Sequence, residues 1–201
     1  MKVLYPIMGY CAFLCYGKEL IVNNQNTKKM ILAAMFLALA YVLPFLTGQI
    51  QQIGNMLCPM HIPVLLCGFI CGPMWGAVVG IVAPILRSLT LGMPVFFPMA
   101  VCMALELAVY GFVTGILYRM LPKNKINIYV TLVISMITGR LVWGAARFLC
   151  TGLNTAEFGL KAFWAGAVTT AIPGIILQII LVPIVVMVYE MTAHSDSGNL
   201  V

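Results

Sequence analysis

The chain has 201 residues, 63% of them apolar and 8% charged, with 11 basic against 5 acidic side chains and a formal net charge of +6. Soluble domains run at about 45–50% apolar and about 25% charged, so this composition excludes a water-facing globule and reads as an integral membrane protein. Six spans of about 20 residues would take up about 120 positions, which leaves no room for a sizeable soluble catalytic domain.

In chain order, residues 1–26 are an extension of uncertain structure. Its apolar part, Val3 to Tyr16, is broken by Pro6 and Gly9. It is too short for a span and lacks the small-x-small site of a cleaved signal. Residues 27–190 form the membrane domain and 191–201 a polar tail. The first clear helix is Met30–Leu46, followed by a Gln/Asn-rich loop, TGQIQQIGNMLC. Ile62 to Leu86 carries no charge over 25 residues, and its middle, CGPMWG, is turn chemistry. Met93 to Tyr118 is apolar apart from Glu106. RMLPKNK is a basic loop, Ile126 to Cys150 holds Arg140 and Arg147, and Ala162 to Tyr189 is a long last helix with a bend expected at Pro173.

Charge decides the ambiguous stretch. If residues 62–86 were one span, Lys28/Lys29 and RMLPKNK would face opposite sides. Two spans meeting near Gly72–Gly76 put both basic clusters on one side, which the positive-inside rule favours. The expectation is an all-α integral membrane protein, a six-transmembrane-helix bundle over about 30–46, 58–72, 74–91, 94–118, 127–150 and 162–189, with both termini cytoplasmic. The basic runs lie beside apolar segments and serve this orientation, so nucleic acid is not an expected partner. Gly68, Gly72, Gly76 and Gly80, and Gly111 and Gly115, recur at four-residue spacing, a small-residue face for close helix packing.

Several chemistries are not supported. Seven cysteines are scattered without CxxC or Cys/His spacing, so neither a disulfide framework nor a metal site is expected. The one Gly-Lys pair, Gly17-Lys18, is followed by Glu19, and Ala12 stands where a phosphate loop needs glycine. No ATPase, no cofactor and no enzyme activity are expected. What stands out is Arg87, Glu106, Arg140 and Arg147 inside apolar segments, each costing about 2.5–3.5 kcal/mol or more at bilayer depth. Three Arg against one Glu leave positive charge that an anionic ligand would neutralise, and the planar guanidinium suits carboxylate or phosphate. Arg87 or Arg140 is expected to pair with Glu106, with Arg87 the first choice. Arg140 and Arg147 share a face with Trp143 on or near it. Trp143 and Trp164 can wall a small organic acid, and His61 sits at the outer edge of the second helix.

The order of TKKMILAAMFLALAYVLP, the polar loop, PMHIPVLLCGFICGPMWGAVVG, the acid-bearing LELAVYGFVTGILYR and a basic turn resembles a substrate-binding S component of an energy-coupling factor (ECF) vitamin transporter. The resemblance runs from Thr27 to about Glu190. It implies a subunit of an ECF-type ABC importer in a bacterial-type plasma membrane. Such a subunit captures a small water-soluble vitamin-like molecule from outside, in the outer halves of helices 4–6 and the loops. The loop after helix 1, here holding Asn55, would be its lid. The implied partners are a transmembrane coupling subunit and two ATPase subunits, with Ala34 and Ala38 matching a docking face on helix 1. The Arg residues point to an anionic, pantothenate-like cargo. The alternatives are a stand-alone secondary carrier or channel, for which no repeat is found, and an intramembrane enzyme or assembly factor.

Overall fold

The computed structural model describes residues 25–44, 59–92, 94–122, 124–151 and 172–198. These residues contain helices and no strand. In chain order the helices are α1 (Gln25–Pro44), α2 (His61–Cys71), α3 (Pro73–Leu91), α4 (Val101–Met120), α5 (Lys125–Thr151) and α6 (Ile172–Gly198). Among the described residues five segments are long and apolar enough to cross a membrane: α1, α3, α5, α6, and α4 with the turn before it. The exception is α2, at 11 residues or about 16 Å.

The helix boundaries have local causes. Gly72 lies at φ 99°, ψ −179°, a region essentially reserved for glycine. Pro73 then opens α3 at its first position, where the missing N–H costs nothing. The break expected across Gly72–Gly76 is therefore confined to Gly72. At the far end of α3, Gly92 takes the left-handed conformation at φ 67° and returns its N–H to the Ser88 carbonyl at 3.0 Å. The α4–α5 corner is tied by Asn127, whose side-chain amide donates to the Pro122 carbonyl at 2.6 Å.

Some boundaries differ from the sequence expectation, among them the start of α2 at His61 rather than 58. Helix α1 already includes Gln25, ahead of the expected start at Met30, because the polar QNTKK run is helix-compatible although not apolar. Helix α6 continues to Gly198, past the end expected at Tyr189. The proline inside the described part of α6 is Pro183, and Pro173, where a bend was expected, stands at its start. Positions 1–24 and 162–171 lie outside the described residues.

The glycine stripes pack against each other. A Cβ on Gly111 would come within 2.3 Å of the Gly76 backbone, and one on Gly80 within 2.4 Å of the Leu107 carbonyl. One on Gly115 would meet the Pro73 nitrogen at 2.3 Å. Helices α3 and α4 thus cross backbone to backbone, as small residues permit in membranes. Helix α4 is central, packed against α2, α3 and α5. Its fully buried Leu107 and Tyr110 join Val64, Leu65, Leu132, Val182 and Val186 from α2, α5 and α6 in one core.

Cross-helix contacts give each end of the bundle its residues. Gly72 lies against the Arg119 guanidinium, and the Tyr118 hydroxyl bonds Glu190, so the α2–α3 corner and one end each of α4 and α6 meet. Tyr41 bonds Thr90 at 3.2 Å, which runs α1 alongside α3 and puts Lys28 and Lys29 at that same end. The opposite end gathers Gly92, Cys102 and Cys150.

Candidate functional site

Helix α2 does not run the length of its neighbours. Its first residue, His61, lies beside Glu106 of α4, and its last abuts Gly72, which faces Arg119. Glu106 and Arg119 are about 20 Å apart along α4. Beyond the N-terminus of α2, α3, α4 and α5 continue, with Tyr41 of α1 bonded to Thr90 of α3 at that end. Arg87, Glu106, Arg140, Trp143 and Arg147 all stand at or beyond that level.

Glu106 is 1% exposed, and a carboxylate so buried requires compensation. Its Oε1 lies 3.3 Å from Arg140 Nη1 and 3.5 Å from His61 Nε2. These are ion-pair distances, yet neither contact has hydrogen-bond geometry. His61 is itself 3% exposed, and among the described residues neither ring nitrogen has a hydrogen-bond partner. Its ring is held edge-on against Tyr110, centroids 5.2 Å apart. The group therefore offers an acceptor on Glu106 and a donor and an acceptor on the imidazole.

The scaffold around this group is built residue by residue. Tyr110 follows Glu106 by one turn of α4. Its ring fits because position 139 is glycine: a Cβ there would meet the ring at 2.7 Å. One turn further, Thr114 donates to Ser135 at 2.9 Å and Ser135 to the Thr131 carbonyl at 2.6 Å. The α4–α5 seam thus runs from the Glu106–Arg140 pair through an aromatic layer to a hydroxyl layer, which fixes the register that sets Arg140 against Glu106.

Arg87 does not pair with Glu106, contrary to expectation. Its Nη1 donates to the thioether of Met60 at 3.6 Å, and among the described residues its Nε has no hydrogen-bond partner. Height along α3 decides this: Gly76 lies against Gly111 and Gly80 against Leu107, so the antiparallel register carries Arg87, two turns beyond Gly80 on the same face, past the level of Glu106. Met60 is buried and adjoins His61, so Arg87, Met60, His61, Glu106 and Arg140 form one contiguous chain of side chains. Arg147 lies over the Trp143 ring, 6.0 Å from its centroid, on the shared face of α5 read from the sequence.

Asn55 and Trp164 fall outside the described residues. Ala34 and Ala38 are exposed on α1, together with Ile31, Met35 and Val42. Tyr110, Met60 and Gly139 were not read as site residues. Tyr110 lies four residues from Glu106, and Gly139 beside Arg140 was the available signal. Among the described residues no group of three or more His, Cys, Asp or Glu could hold a metal ion.

Residues 28–186 match a family model described as ECF transporter, substrate-specific component. No curated protein and no solved structure matches the chain.

Proposed function

The chain belongs to the ECF transporter substrate-specific components, and we propose that within that family it captures a small, water-soluble, vitamin-like anion of pantothenate type from outside the cell. Proteins of this family are multi-pass transporter subunits that bind a small substrate and work with a transmembrane T component and two ATPases. Both chain termini and the end holding Lys28, Lys29 and Arg119 face the cytoplasm of a bacterial-type plasma membrane. The end holding Arg87 and Arg147 faces outward.

One observation carries the reading. Buried Glu106 already has Arg140 and His61 at ion-pair distance, while among the described residues the partner of Arg87 is a thioether. A thioether sulfur does not neutralise a guanidinium; a ligand carboxylate does, with a charge-assisted bond. The N-terminus of α2 has no side-chain cap, and its dipole adds positive potential at the same level. His61 and Glu106 then supply an acceptor and a donor to the hydroxyl or amide groups of the same molecule. Asn55, Trp143, Arg147 and Trp164 complete the contacts, and Ala34 and Ala38 present the docking face for the T component.

The test is thermal unfolding of the purified chain across B vitamins grouped by charge. A ligand that binds only the folded state raises its stability by mass action. The expected result is a raised unfolding temperature with a carboxylate-bearing vitamin. A rise produced by a neutral vitamin alone would overturn the anionic cargo.

A further inference from the structure

Four cysteines among the described residues carry free thiols: Cys67, Cys71, Cys102 and Cys150. Cys67 and Cys71 lie one turn apart on α2, inside the packed core. Cys102 and Cys150 come from different helices, 48 positions apart in the chain, and their sulfurs are 3.9 Å apart. They join the first turn of α4 to the last turn of α5. On α4, Cys102 is one turn from Glu106, and on α5, Cys150 is three residues from Arg147.

We propose that Cys102 and Cys150 are an oxidisable dithiol that closes to a disulfide between α4 and α5, a modification site at the rim of the candidate solute site, with small disulfides as its oxidant. A disulfide requires the sulfurs at about 2.05 Å. Each sulfur turns on a single Cα–Cβ bond, so the remaining approach is shared between two side-chain rotations. Cys102 is fully buried and Cys150 half-buried, which makes Cys150 the sulfur that an outside reagent reaches first.

The exchange is balanced. Cys150 loses its proton and attacks one sulfur of a disulfide RSSR; the S–S bond of RSSR breaks, and the leaving thiolate takes up a proton as RSH. Cys102 then loses its proton and attacks the Cys150 sulfur of the mixed disulfide, expelling the second thiolate as RSH. Two cysteine thiols are oxidised by two electrons, and one RSSR is reduced to two RSH. The product ties together the helices that carry Glu106 and Arg147. The pairing rests on the two sulfurs alone and holds whatever the cargo is.

The experiment uses the purified full chain in detergent. It is treated with hydroxyethyl disulfide, unfolded, alkylated with N-ethylmaleimide, digested and mapped by non-reducing mass spectrometry. The expected result is a linked peptide pair containing Cys102 and Cys150, two hydrogens lighter than the sum of its parts. Most of the Cys102 thiol is then protected from alkylation, and dithiothreitol restores it. The unfolding temperature rises on oxidation and falls back on reduction, and Cys150→Ser abolishes both changes. A stable hydroxyethyl adduct on Cys150 of the folded wild-type chain, with Cys102 still open to alkylation after unfolding, would overturn the proposal.

Discussion

At the scale of single residues, Glu106 and Arg140 answer for each other. Removing one partner of a buried pair strands the other charge, at a cost of about 3–5 kcal/mol. Glu106→Ala should therefore lower the unfolding temperature strongly, and Arg140→Ala likewise. The double variant should lose less than the sum, by a coupling of about 0.5–3 kcal/mol. A thermal-unfolding double-mutant cycle measures it, and strict additivity would show that the 3.3 Å contact carries no energy. Glu106, Arg140 and His61 were legible in the sequence because polar groups inside apolar runs are costly. Which arginine meets the acid was not, since that depends on how far α3 and α5 are shifted along α4. Tyr110 gave only its spacing from Glu106, because a tyrosine in a membrane helix reads equally as an interface residue.

At the scale of elements, glycine spacing was informative and helix length was not. The stripes on α3 and α4 mesh as their period implies. Gly111→Ala would push a methyl to within 2.3 Å of the Gly76 backbone, so it should destabilise the chain by about 1–3 kcal/mol, the cost of overpacking. Gly92→Ala has nothing within 4 Å and should cost only the left-handed backbone conformation, about 1–2 kcal/mol. Unfolding of both variants in the same detergent tests the contrast: Gly111→Ala should also loosen α3–α4 packing, read as faster thiol labelling of Cys71, while Gly92→Ala should not. The eleven-residue length of α2 was hidden because an uncharged run does not show where its helix starts. The exposed face of α1 makes a separate prediction. Ala34→Leu or Ala38→Leu should leave solute binding intact and weaken transport by the assembled complex, because a bulky side chain holds apart helices that small ones let touch. Unchanged transport in both variants would remove α1 as the docking face.

At the scale of the molecule, the bundle was legible from charge and composition. The positive-inside argument grouped Lys28/Lys29 with the RMLPKNK loop, and the contacts from Tyr41 to Thr90 and from Gly72 to Arg119 bring those regions to one end. A single cysteine at position 123 in a cysteine-free chain should resist impermeant maleimide in whole cells, and rapid labelling there would reverse the orientation. The cargo was less legible, because its recognition rests on side chains from separate elements whose approach no local pattern encodes. The central claim is that a ligand anion completes the charge around Arg87 and Arg147. It is tested most directly by titrating the vitamin that stabilises the wild-type chain into purified Arg87→Gln and Arg147→Gln, with unfolding temperature as the folding control. Loss of a charge-assisted hydrogen bond, about 1.5–3 kcal/mol, predicts affinity lower by about ten- to a hundredfold in each, whereas wild-type affinity in both well-folded variants would contradict it.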